Sequence, residues 1–348
     1  MQTNLMRLLD GPCESRLQHA RTWLSALLPI SSSWPQCAAM QSWRLPAFVA
    51  GLLLATLPLP AQTTNRPVPL QFRVTGTVER LDKLDSKHVA PRYVDVWLPP
   101  GYSLPKSKKQ RYPVIYVHDG QNVFDPASSF IGVDWGIDET MTRLIGEKKI
   151  PKAIIVAIWN TSQRLSEYMP QKPLEQVAEA DLDAMFKSVR REPLGDEYLR
   201  YLVTELKPAI DARYRTLPDR AHTSLMGSSL GGLISLYAIC EYPDVFGGVA
   251  CLSTAWQVAN GATVRELKKS LPDPRTHRLY FDFGTDTNDG SIEPFQHHVD
   301  ALLKEAGYAN GKNWVTREFP GEDHSERAWR KRVHLPLQFL LGAQRSGK

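Results

Sequence analysis

Cysteine is scarce in this chain: 348 residues carry four, Cys13, Cys37, Cys240 and Cys251. None stands in a C-x-x-C pair, and no H-E-x-x-H occurs, so the sequence announces no zinc site. Nor is there an apolar run long enough to cross a bilayer. The most apolar stretch, near Phe48–Leu57, is about a dozen residues and is followed by prolines, well short of the ~20 a spanning helix needs, which excludes a stable membrane anchor. Charge of one sign is not concentrated either. Lys and Arg total 42 against 37 Asp and Glu, a formal charge of +5. The densest basic run, Lys106-Ser-Lys-Lys-Gln-Arg111, lies between turn signals and reads as a solvated loop. A nucleic-acid partner, which needs basic residues gathered on one face, is therefore not expected. No internal repeat is visible.

What is present begins with an address. Met40 to Ala61 holds one arginine, an apolar run, prolines and a closing alanine, the layout of a secretory signal peptide cleaved after Ala61. The expected location is periplasmic or extracellular. Residues 1–39 sit ahead of a complete signal and read as an upstream extension, with translation beginning at Met40. Residues 62–70 form a polar, proline-punctuated linker, 71–342 the folded domain and 343–348 a tail. Cys13 and Cys37 leave with the leader. Cys240 and Cys251 both stand in apolar surroundings, which points to two buried thiols rather than a disulfide.

Phe72–Leu81 alternates apolar and polar residues, the pattern of a half-exposed strand, and Tyr93–Leu98 reads the same way. Pro113–His118 and Ala153–Trp159 are continuous apolar runs, as expected of strands buried on both faces. Gly247–Leu252, Arg278–Phe283 and Asn313–Phe319 are further strands. Helical patterns fall between them at Ile137–Gly146, Glu197–Lys207, Leu233–Cys240 and Pro294–Glu305. Two alternating strands followed by strand–helix repeats predict an α/β fold, a mostly parallel central sheet flanked by helices. Residues 161–193 break the rhythm after the fourth strand. An insertion of that length is usually a lid or binding loop. Its first residues, Arg164 and Glu167-Tyr168, are expected to pin it, with Arg164 pairing Glu167 or a backbone carbonyl. Pro170–Pro193 is expected to cover the site and select substrate.

Gly227-Ser-Ser-Leu-Gly231 matches G-x-S-x-G with Ser229 in the nucleophile position and Ser228 as a small spacer. The motif needs a sharp strand-to-helix turn, and it lies between a plausible strand (Ala221–Met226) and a plausible helix (Leu230–Ala238). A serine hydroxyl needs a base within reach. In this topology the base follows the last strand, which selects His324. His118 and His222, at buried strand ends, and His297 and His298, within a helical pattern, take structural roles. The acid is expected in the loop after Arg278–Phe283, which offers Asp286 and Asp289. One oxyanion donor is the Leu230 N–H; the other is expected from the loop after Pro113–His118, from Gln121, with Asn122 as its neighbour. Trp135, Trp159 and Trp256 lie near loops that could border the mouth, although core or rim packing is their commoner role.

Tyr112–Phe124, Trp159-Asn160, Arg164–Tyr168, the GSSLGG turn and Gly321–Trp329 together resemble the Putative esterase family, over about residues 70–342. That group includes esterase D, feruloyl and acetyl-xylan esterases, siderophore trilactone esterases and the antigen 85 mycolyltransferases. The resemblance implies an α/β-hydrolase fold with Ser229 as nucleophile and His324 as base, and its pattern after the strand glycine favours Asp289 over Asp286. It implies a carboxylic ester hydrolase working on small-molecule or carbohydrate esters with no cofactor. Acyl transfer to a sugar acceptor and a catalytically dead binding module are the alternatives.

Overall fold

The computed structural model describes residues 74–81, 83–178, 192–286 and 291–342, all within one compact unit spanning Thr64–Lys348. The expected leader, signal peptide, linker and tail, residues 179–191 of the insertion, and Asp289 lie outside the described residues.

Eight strands form one sheet: β1 (Thr77–Leu81), β2 (Val94–Leu98), β3 (Val114–His118), β4 (Ile154–Ile158), β5 (Thr223–Ser228), β6 (Gly248–Leu252), β7 (Arg278–Gly284) and β8 (Trp314–Phe319). Their spatial order is β1-β2-β4-β3-β5-β6-β7-β8. β1 and β2 run antiparallel to their neighbours; every other pairing is parallel. A parallel sheet brings the C-terminal ends of its strands to one edge, where α/β folds assemble their sites. The loops after β3, β5, β6, β7 and β8 therefore share that edge.

The alternation of side chains along each strand divides the core into two layers. Val114, Tyr116, Ile154, Val156 and Ile158 face one layer, while Ile115, Val117, Ile155 and Ala157 face the other. On the second face lie α1 (Ile137–Gly146) and, late in the chain, α10 (His334–Leu341). The insertion opens with the single turns α2 (Arg164–Glu167) and α3 (Gln171–Leu174). On the first face follow α4 (Gly195–Tyr201), a π-helical stretch (Leu202–Leu206), α5 (Lys207–Arg213), α6 (Leu230–Glu241), α7 (Ala262–Ser270) and α8 (Glu293–Glu305). α9 (Glu326–Arg332) precedes α10.

β2 differs from its half-exposed expectation, being buried at all five positions. β1 covers its outer edge, and its one charged residue, Asp95, is neutralised: Arg80 donates to it through Nε (2.7 Å) and Nη2 (2.8 Å), and Trp159 through Nε1 (2.8 Å). The expected helix 197–207 continues through Pro208 to Arg213, with a π-helical stretch just ahead of the proline, which stands in the first turn of α5. α7, α9 and α10 were not anticipated. Cys240 and Cys251 are free thiols; Cys251 is buried as expected, Cys240 only half-buried, and desolvation pushes the Cys240 thiol up to about 12. None of the helices among the described residues is long and apolar enough to cross a membrane.

Candidate active site

The turn between β5 and α6 is built by two close approaches. A Cβ on Gly227 would fall 2.4 Å from the backbone carbon and oxygen of Gly231, so no side chain fits there. A Cβ on Gly231 would lie 3.3 Å from Asp119 Oδ2 and 3.3 Å from His118 Cβ. Between these glycines Ser229 adopts φ 56°, ψ −123°, a region that side-chain-bearing residues rarely occupy. Such a conformation costs about 1–3 kcal/mol and persists only where its surroundings over-determine it. Here the Ser229 N–H donates to the Leu252 carbonyl (2.9 Å), while the Ser229 carbonyl accepts from Leu233 (3.1 Å) and Ala255 (3.2 Å). Ser228 is buried at the end of β5, while Ser229 is half-buried at the head of α6.

The loop after β3 turns on Asp119, left-handed at φ 56°, ψ 48°, into a single 3₁₀ turn (Gly120–Asn122). Asn122 N–H is committed to the Asp119 carbonyl at 2.9 Å. Gln121 N–H and Leu230 N–H both stand at the start of helical turns, where no intrahelical acceptor exists, and neither donates to a protein acceptor among the described residues. The Gln121 side chain faces the fourth strand's loop, its Oε1 accepting the Asn160 N–H at 3.2 Å.

His324 and the residues before α9 leave the far strand β8 and are drawn back across the sheet edge. Asn122 Nδ2 donates to Glu326 Oε1 (3.3 Å), and Trp329 Nε1 donates to Ser253 Oγ (3.1 Å) at the end of β6. The His324 ring lies edge-on to the Trp329 ring, centroids 5.2 Å apart. Ser325 caps α9, accepting the Ala328 N–H, and donates to Asp323. Behind this, Arg332 forms a buried ion pair with Asp282 at 3.1 Å and donates to Ser253 at 2.9 Å. The loop after β7 joins the same segment: Asp286 N–H donates to the Glu322 carbonyl (3.1 Å) and Gly321 N–H to Thr285 Oγ1 (2.8 Å). Of the two candidate acids, Asp286 is exposed beside the His324 loop.

The base of the insertion departs from expectation. Among the described residues Arg164 pairs neither Glu167 nor a carbonyl. Its Nε and Nη2 grip the two carboxylate oxygens of Asp119 at 2.6 and 2.7 Å, and Asn160 Nδ2 adds a third bond at 2.5 Å. Glu167 instead takes Arg92 through two bonds of 2.6 and 3.0 Å, in a pair that is almost fully buried. The short turn of α2 sends these two side chains toward different neighbours, and neither partner is near in sequence. Burial pushes the Asp119 pKa up, but the Arg164 guanidinium outweighs it and holds the carboxyl below its usual range. His118, behind it, donates or accepts through Nδ1 to Tyr198 Oη (2.8 Å), and burial lowers its pKa to about 4.

Other candidates resolve simply. Trp135 and Trp256 are fully buried; Trp159 is half-buried, with Arg80 stacked 4.6 Å over its ring. His222 is exposed and paired with Asp219, contrary to the buried strand end expected, because β5 begins at Thr223, two residues later than expected. Among the described residues Asp134, Asp138 and Glu139 approach within 4.8 Å of one another, but Arg330 lies among them, bonding Asp134 at 2.7 Å and Glu139 at 3.3 Å. In the insertion, Leu174 and Met169 pack against Ala262, and Lys172 pairs with Glu241 on α6.

A model of the Putative esterase family matches residues 89–339. The uncharacterized protein YbbA of Bacillus subtilis is 26% identical over 269 residues, covering 75% of this chain and 97% of its own length. An endo-1,4-beta-xylanase/feruloyl esterase of Xylanibacter ruminicola is 25% identical over 260 residues, 71% of this chain and 29% of that protein. Among solved structures, the enterobactin esterase of Shigella flexneri superposes with a TM-score of 0.55 at 17% identity, over 77% of this chain; the chain spans only 59% of that protein. A ferulic acid esterase superposes with a TM-score of 0.55 at 20% identity, over 76% of this chain and 98% of its own. These likenesses carry the α/β-hydrolase fold.

Proposed function

The chain belongs to the Putative esterase family, and with it to the carboxylic ester hydrolases; from that premise we propose that it is a serine esterase acting through an acyl-enzyme on Ser229. The observation that carries this reading is the strained positive-φ backbone of Ser229 at the head of α6. A strained residue there presents its hydroxyl at the sheet edge above free helix N–H groups.

In this mechanism His324 takes the Ser229 proton as Oγ attacks the ester carbonyl, and the negative oxygen is received by the Leu230 and Gln121 N–H groups. His324 then protonates the departing alcohol as its bond to the carbonyl carbon breaks. Water gives a proton to His324 as it attacks the acyl carbonyl; the bond to Ser229 Oγ then breaks, Oγ takes that proton from His324, and the acid is released. A carboxylate from the loop after β7, Asp289 by the family pattern or Asp286, orients the imidazole. The strand ends converging on one edge support this assignment of roles. Ser229→Ala should reduce hydrolysis of p-nitrophenyl acetate by at least about 1,000-fold; turnover unchanged in that variant would remove the proposal.

The substrate is proposed to be a small-molecule or carbohydrate ester, met outside the cytoplasm after export by the Met40–Ala61 signal. The insertion, proposed to select the acyl or alcohol group, is anchored through Leu174 on α7 and Lys172 on α6. Replacing residues 179–190 with a short Gly-Ser linker should change the ratio of rates on bulky and acetyl esters. A constant ratio would reduce the segment to a surface excursion.

A further inference from the structure

We infer that Arg164 is a positioning residue for the oxyanion hole: through Asp119 it locks the loop bearing the Gln121 N–H against the first turn of the helix bearing the Leu230 N–H. The inference rests on the serine-esterase reading and adds to it a residue that lies outside the nucleophile, base and acid.

Asp119 stands at the crossing of three segments. Its own left-handed backbone starts the Gly120–Asn122 turn and so sets the direction of the Gln121 N–H. Its Oδ2 lies against Gly231, where a Cβ would come to 3.3 Å, so the carboxylate packs on the first turn of α6. Its two oxygens are taken by Arg164 and Asn160 from the loop after β4. Asn122, in the same turn, reaches Glu326 two residues past His324. One buried carboxylate thus gathers both candidate donors and, through Asn122, the segment of the candidate base.

The charge matters as much as the shape. Asp119 is 3% exposed, and a bare carboxylate beneath the oxyanion position would oppose the negative charge that develops there. Arg164 cancels it with a two-nitrogen grip that a lysine, with a single ammonium, does not reproduce. A guanidinium at the base of the insertion therefore keeps the hole both in register and electrically neutral.

The test compares wild type, Arg164→Lys, Arg164→Met and the double variant Asp119→Asn/Arg164→Met on p-nitrophenyl acetate, with rates normalised to active sites counted by fluorophosphonate. Arg164→Met should lower kcat by about 100-fold with KM within about threefold, and weaken binding of a phenylboronate, a tetrahedral analogue, in parallel with kcat. Removing the stranded charge in the double variant should restore kcat by at least about tenfold. A merely structural role would lower the count of active sites while leaving kcat per site unchanged, and that result overturns the inference. So does a double variant no faster than Arg164→Met. If Arg164→Met does not fold, Arg164→Lys decides: a fall in kcat at constant KM supports the inference, and an unchanged kcat per site overturns it. A wild type that fluorophosphonate does not label removes the serine reading itself, a failure distinct from either.

Discussion

Asp119 and Ser229 hold positive φ just past the ends of the adjacent parallel strands β3 and β5, and glycines make room beside them. Gly227→Ala places a methyl group 2.4 Å from backbone atoms that cannot swing away. It should destabilise the protein by about 3 kcal/mol or more, read by urea unfolding; a loss under about 0.5 kcal/mol would contradict the close packing described. His118 offers a second test at this scale. Burial lowers its pKa to about 4, with Asp119 opposing and Arg164 and Arg92 assisting. The unfolded chain protonates near 6.5 while the folded protein resists until about 4, so the unfolded state binds the extra proton and stability falls as pH drops across that window. Asp138, raised to about 7 chiefly by burial, acts in the opposite sense, which makes the difference between wild type and His118→Gln the readout. The variant should lose less stability than wild type between pH 7 and pH 4.5, and equal losses would contradict the assignment. The strand-to-helix turn around Gly227 and Ser229 was legible because a motif constrains it locally. Asp119 and Arg164 were not, because nothing in a sequence shows that residues 45 apart will meet.

Strands were the most legible elements, since β3 and β4 are continuous apolar runs and their burial on both faces follows directly. β2 misled because its alternation came from Asp95, a residue that is buried but paired. α9 was missed for the same kind of reason. Its buried face includes Arg332, a charge held inside by Asp282 of β7 and by Ser253. Arg332→Met would take the cation away from that buried carboxylate, which keeps the Tyr280 hydroxyl, and would weaken the α9 anchor at Ser253 as well. The expected destabilisation is about 3–5 kcal/mol, measured by urea unfolding. Asp282→Asn/Arg332→Met should recover part of it. A single variant as stable as wild type would show that α9 is held elsewhere.

At the scale of the whole molecule, one geometric fact organises the rest: six parallel-paired strands deliver their loops to one edge. The order of those loops in the chain could be read from hydrophobic runs, and the fold class with it. The long-range bonds that pull the β8 loop back over β6 toward β3 could not, because they join polar residues with no local signature. The central claim is that this edge carries a nucleophilic serine, and the direct measurement is to trap the covalent intermediate. Wild-type protein treated with a fluorophosphonate should gain one adduct by intact mass, and peptide mapping should place it on Ser229, with no adduct on Ser229→Ala. An unlabelled wild type, or an adduct mapped to any other residue, would contradict the account.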